Sequence, residues 1–270
     1  MTDKWKLYTV GTSFDSEFRC ESIELTEKCL ILGTTVFNIK WSLNQSMNQS
    51  QYRTATALPV STVEMNKVLR NTYALLSMTL LFSAVMAGVS MALNWPHPGI
   101  LITLVGYFGL LFLTTKLRNS AWGILSVFAL TGFMGATLGP IINMYMYRFG
   151  NGTEIVMMAL GGTGVIFLAM SGLALTSKKD FSFMGKFLAI GILVAFLAAL
   201  GNLFFQIPAL GLAVSSMFVL LMAGLILFQT QQIVRGGETN YIMATVTLFV
   251  SLFNLFTSLL HLLGMGFGED

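Results

Sequence analysis

Between residues 73 and 263 the chain is a succession of apolar runs separated by short polar breaks. Seven runs stand out: Tyr73–Asn94, Pro98–Thr115, Trp122–Met144, Ile155–Thr176, Phe183–Asn202, Leu210–Thr230 and Tyr241–Leu263. A helix rises about 1.5 Å per residue, so runs of this length cross a hydrocarbon layer of roughly 30 Å. None carries a charge near its middle, and Lys186, close to the start of the fifth, can snorkel to the interface. The short breaks make consecutive spans antiparallel neighbours or nearly so. The pattern predicts an all-α integral membrane protein with seven transmembrane helices.

The seventh run differs from the others. Thr247, Ser251, Asn254, Ser258 and His261 recur at helical spacing, a polar stripe on a helix otherwise built of Leu, Phe and Val. Asn and His side chains are costly against lipid tails, so the stripe should face protein or a wet cavity. The expectation is a central C-terminal seventh helix with the other six surrounding it. Two readings of the stripe stay open: small seam residues that let helices pack closely, or a polar lining for an ion or proton path.

Glycine and proline mark the interior. Gly132, Gly135 and Gly139 put a small-residue face on span three, and Gly135/Gly139 form a G-x-x-x-G pair suited to close helix approach. Pro140 should kink that helix or open it locally, freeing carbonyl groups for a partner such as Asn143 or water. Gly161, Gly162 and Gly164 suggest a second backbone contact on span four, and Asn202 and Gln206 stand one turn apart at the end of span five.

Upstream of the spans the character changes. Residues 1–70 are polar and hold two of the 26 glycines, Gly11 and Gly33. The mildly apolar Cys29–Ile39 follows Glu21, Glu24 and Glu27, where a secretory signal would carry basic residues. Ser42–Thr62 is rich in Ser, Thr, Asn and Gln and reads as a flexible linker. The expected domains are an N-terminal extension 1–46, a cytoplasmic tail 47–70, a transmembrane domain 71–264 and a short external C-terminus 265–270. Met47 reads as an alternative start of translation, with 1–46 disordered or outside the native product.

Composition agrees with the membrane assignment: 55% hydrophobic, 10% charged and a mean hydropathy of +0.75. A net charge of +3 is too small to indicate a nucleic-acid binder. Its placement carries more information. Lys67 and Arg70 precede span one, Lys116 and Arg118 follow span two, Lys178 and Lys179 follow span four, and Arg235 follows span six. The opposite connections hold only Arg148, and the chain ends in Glu269-Asp270. Basic loops stay on the cytoplasmic side, which puts the N-terminus inside and the C-terminus outside.

Chemistry is sparse. Cys20 and Cys29 have no accompanying ligand set, so no metal or cofactor is expected. No Asp or Glu lies within a span, which removes an aspartyl protease; His261 beside Ser258 and Thr257 on one helix is not a catalytic arrangement. Gly236-Gly237 falls short of a phosphate-binding loop. No enzyme is expected. Two loops remain as candidate contacts for a cytoplasmic partner, together with Lys67 and Arg70: Lys178-Lys179-Asp180 and Arg235 to Glu238. Their plainer role is turn chemistry, with Asp180 favouring the start of span five and Glu238 or Thr239 beginning the last helix.

The strings Gly132-x-x-Gly135-x-x-x-Gly139-Pro140, Lys178-Lys179-Asp180-x-Ser182-Phe183 and LFVSLFNLFTSLLHLLG resemble the Bax inhibitor-1 family of seven-span proteins. KVLRNTY, ITLVG, LGPIIN, ALGGT and GGETNYI are similar to bacterial inner-membrane members that modulate the membrane-anchored AAA+ protease FtsH, and the likeness runs from about Met47 to Asp270. The resemblance implies six helices around a seventh, and FtsH as partner with an accessory complex of HflK and HflC type. It also implies a protein that is itself an FtsH substrate through its N-terminal tail and hinders proteolysis of membrane proteins such as SecY. Calcium-leak members carry an aspartate pair; Gln229 and Ser251 stand at those positions here. An amide and a hydroxyl cannot share a titrating proton as two carboxylates do. The expected function is therefore an FtsH modulator acting by binding. The alternative is a cation or proton leak with an altered gate.

Overall fold

The computed structural model describes residues 62–177, 179–181 and 183–267. The expectations for residues 1–46 and for the linker up to residue 61 lie outside that range. Among these residues seven helices follow one another: α1 Thr62–Ala92, α2 Ile100–Leu117, α3 Trp122–Arg148, α4 Gly152–Thr176, α5 Met184–Phe205, α6 Pro208–Val234 and α7 Tyr241–Phe267. No strand occurs among the described residues. The all-helical class and the count of seven hold. Six helices are long and apolar enough to cross a membrane, and α2 is a shorter apolar helix.

Most helices extend past their apolar runs, because hydrogen bonding within the helix continues after hydropathy falls. α1 begins at Thr62, well before the apolar run at Tyr73. The ends are set by local chemistry. Gln206 takes φ 49° as the α5 cap while Asn202 Oδ1 accepts the Ile207 N–H at 2.9 Å, and Pro208 opens α6. Gly236, at φ 74°, ends α6 in the left-handed region that suits glycine. Asn240 begins α7: its Oδ1 accepts the N–H groups of Ile242 (3.0 Å) and Met243 (3.1 Å). The cap thus falls one or two residues later than the sequence reading placed it, and Glu238 instead accepts the Asn240 N–H at 2.9 Å.

α7 is buried without interruption from Ile242 through Ser258. Of an 18-residue apolar stretch of α7, 83% is buried within the protein, against 28% for the corresponding stretch of α4. It packs against α1, α3, α4 and α6, whereas α2 leans on α3 and α5 on α6. The outward faces are apolar, with Leu168, Phe187 and Leu220 each about 70% exposed. That is the surface a chain solvated by acyl chains presents.

The α1–α3 seam follows the glycines. A Cβ at Gly135 would collide with the Ser83 carbonyl, and one at Gly139 would lie 2.7 Å from Ser90 Cβ and 2.9 Å from the Ala87 carbonyl. Gly132 admits the ring of Phe82. Backbones approach closely because no side chain intervenes, which is how dispersion holds helices together in lipid. The second expected glycine contact is absent. Nothing lies within 4 Å of a Cβ built on Gly161 or Gly164, and Gly162 makes only an ordinary 3.5 Å contact with Leu259. Gly161 faces outward, so clustering in sequence did not place these residues against a neighbour.

Candidate functional site

Three groups of polar side chains lie along or around α7. The first is the stripe itself. Thr247, Ser251, Asn254 and Ser258 are fully buried and His261 is 5% exposed. Thr247 and Ser251 turn their hydroxyls back onto their own helix, donating to Met243 O and Thr247 O at 2.8 Å each. Such bonds satisfy the hydroxyl without help from another helix. His261 reaches across: its Nδ1 lies 2.7 Å from Ser215 Oγ on α6. Gly211, one turn before Ser215, keeps this corner open; a Cβ there would meet Asn202 Nδ2 at 3.2 Å and His261 Cε1 at 3.5 Å.

The second group sits where the resemblance locates an acidic pair. Gln229 is fully buried, and neither atom of its amide has a hydrogen-bond partner among the described residues. Neighbouring Thr230 Oγ1 lies 3.2 Å from Tyr73 OH on α1. Thr245 Oγ1 donates to Tyr241 O of its own helix at 2.7 Å and stands 3.3 Å from Thr72 O, where α7 meets α1 at the same level. Gln229 and Ser251 both lie inside the bundle, and both are neutral. Among the described residues no group of three or more His, Cys, Asp or Glu could hold a metal.

The third group ties the loops at the basic end. Gln231, 4% exposed, donates from Nε2 to Lys179 O at 2.7 Å and accepts the Phe181 N–H on Oε1 at 2.8 Å. Arg235 Nη2 donates to the same carbonyl at 2.6 Å while Nη1 stands 3.2 Å from Asp180 Oδ1. Asp180 therefore pairs with the end of α6. Asn240 Nδ2 donates to Arg118 O (3.1 Å) and to Asn119 Oδ1 (3.0 Å). The α2–α3, α4–α5 and α6–α7 loops thus share one rim. Lys67 and Arg70 are exposed on the first turns of α1, whose Thr72 and Tyr73 reach this end of α7 and α6. Lys178 lies outside the described residues.

Gln231, Asn240 and Ser215 were not foreseen. The first two left a trace in the sequence: a Q-T-Q-Q run closing an apolar helix, and an Asn directly before the next one. Ser215 left none, since a lone serine in a span is ordinary.

The family model described as "Inhibitor of apoptosis-promoting Bax1" matches residues 65–268, from the first turn of α1 to the end of α7. The chain belongs to this Bax1-I family. Among Bax1-I relatives, the Modulator of FtsH protease YccA of Escherichia coli K12 is 52% identical over 204 residues, 76% of this chain and 92% of that protein. An uncharacterized protein of Pseudomonas aeruginosa is 49% identical over 224 residues, 83% of this chain and all of the relative. An uncharacterized membrane protein of Vibrio cholerae is 44% identical over 225 residues, again 83% and the whole of the relative. By its helices the chain is a multi-pass membrane protein.

Proposed function

We propose that the chain is a non-enzymatic modulator of an FtsH-type AAA+ protease in the bacterial inner membrane. One observation carries this reading: 52% identity to a protein named for that role, over 92% of its length. The N-terminus is cytoplasmic and the C-terminus is outside. Lys116, Arg118, Lys179 and Arg235 on one rim, with Lys67 and Arg70 at the start of α1, support that orientation. The rim is the candidate contact surface for the protease and for an accessory complex of HflK and HflC type. α7 is the central element of the bundle; its unbroken burial supports this.

The protein is engaged through residues upstream of α1 and competes with other membrane substrates for the same protease. A leak along the stripe is the weaker reading. Thr247 and Ser251 spend their hydroxyls on their own helix, and no carboxylate stands on α6 or α7 to draw a cation.

Affinity purification of the tagged full chain from detergent-solubilised membranes tests the proposal. FtsH should co-purify, and an exposed-rim variant such as K179E should reduce its recovery. If FtsH is missing while the tagged protein is abundant, the proposal fails.

A further inference from the structure

We infer that α1 is a clamp, and that releasing it is the step which limits extraction of the bundle by a force applied on its N-terminal side. This rests on the reading above for its biological partner, a processive unfolding protease, though the mechanical property belongs to the fold alone.

α1 is joined to four helices. At its N-terminal end Tyr73 OH lies 3.2 Å from Thr230 Oγ1 of α6, and Thr72 O stands 3.3 Å from Thr245 Oγ1 of α7, whose proton goes chiefly to Tyr241 O at 2.7 Å. The Tyr73 ring lies 5.9 Å from that of Phe167 in α4. At its other end Ser90 Oγ donates to Ala136 O of α3 at 2.8 Å, and Met91 O accepts from Asn143 Nδ2 at 3.2 Å. Between these points runs the glycine seam, where Ser83 and Ala87 meet Gly135 and Gly139 backbone to backbone.

Geometry makes these bonds act together. A pull on residues before Thr62 is directed along the axis of α1, so bonds at both ends and the seam between them are loaded in shear. With the helix intact, the bonds at both ends and the seam between them must all give way before it leaves its neighbours. α2 offers the contrast within the same molecule. It leans mainly on α3, and the hydroxyls of Thr103, Thr114 and Thr115 bond to Gly99, Leu110, Leu111 and Phe112 within or at the start of its own helix. A helix of that kind would have offered a pulling enzyme little resistance. Here the first helix reached is among the best-tied in the bundle, and an unfolding enzyme would stall on it with its pore occupied. A substrate that is gripped but slow to release is thereby an inhibitor.

The test is the lifetime of the full-length chain in bicelles under constant load, applied in magnetic tweezers through peptide tags at the two termini. Deleting one interhelical hydroxyl bond in a membrane protein should shorten the lifetime about threefold, and two about tenfold. S90A/T230V is expected to unfold about tenfold sooner than the unmodified chain. T230S, which keeps the hydroxyl, and T114V, whose hydroxyl bonds only within α2, should not change the lifetime. Equal lifetimes for S90A/T230V and T114V overturn the clamp. Degradation by purified FtsH in proteoliposomes is then measured on the same variants. Rates that follow the lifetimes support both readings; lifetimes that differ while FtsH ignores every variant leave the clamp standing and remove the protease.

Discussion

Ser90 Oγ donates to the carbonyl of Ala136 at 2.8 Å, and Ala136 is the residue four places before Pro140. Proline has no N–H, so this is the carbonyl that α3 cannot satisfy from within. α1 supplies the missing donor at the point where Gly139 lets the two backbones meet. Asn143, the donor expected from the sequence, is used elsewhere, on Met91 O. Proline, glycine and serine here form one device shared by two helices.

A double-mutant cycle exposes that sharing. S90A should destabilise the protein by about 1–2 kcal/mol, since it leaves a carbonyl unpaired inside the bundle. With P140A, residue 140 regains an N–H that can serve Ala136, and the penalty for S90A should fall to less than half. Reversible unfolding measured by steric trapping in bicelles gives the four free energies. Additive effects would contradict the shared bond.

The two groups of glycines should behave oppositely. G135A places a methyl group against the Ser83 carbonyl and should cost about 1–3 kcal/mol through overpacking. G161A meets nothing within 4 Å and should be neutral or raise stability by up to about 1 kcal/mol, as expected for alanine in a helix. Thermal unfolding in detergent separates them.

α7 depends on a single side chain at its start. N240A removes the acceptor for Ile242 and Met243 and the donor to Arg118 and Asn119. Loss of the cap alone is worth about 1 kcal/mol. N240D keeps the acceptor but not the donor, so it should recover most of the loss while leaving the α2–α3 loop looser. Hydrogen exchange at residues 118–121 reads the second effect and melting temperature the first.

His97 introduces a pH dependence. It lies in the α1–α2 connection, outside the helices, and its Nδ1 accepts the Gly99 N–H at 3.1 Å. Burial lowers its pKa below the ordinary histidine value of 6.5, so the folded protein favours the neutral ring. As pH falls below about 6.5 the unfolded chain takes up a proton before the folded one does. Stability should therefore be full above that pH, decline as pH drops from there toward the folded pKa, and level off beneath it. H97Q should flatten this part of the profile. A variant whose melting temperature falls between pH 7.5 and 5 as steeply as that of the unmodified protein contradicts the assignment.

Hydropathy made the number of helices legible, and the turn residues made most of their ends legible. The Gly132-Gly135-Gly139 face was readable because three small residues on one side of a helix have few uses other than close approach. Gly161-Gly162-Gly164 looked equivalent and was not, because glycine spacing records what a helix can do and not which neighbour arrives. The stripe on α7 was visible as a period. Its long-range partner was not: Ser215 reaches His261 from 46 residues away.

By itself the sequence determined the solvent, the helices and the inward side of α7, because apolar runs and polar spacing act along one chain and need no knowledge of its neighbours. Tertiary structure alone decided that Ser90 completes the proline break in α3, that Gln231 and Arg235 lock onto Lys179 and Asp180, and that α1 is held at both ends. Hydrogen bonds and backbone contacts of that kind depend on distances between segments far apart in sequence, and a linear pattern does not encode those distances.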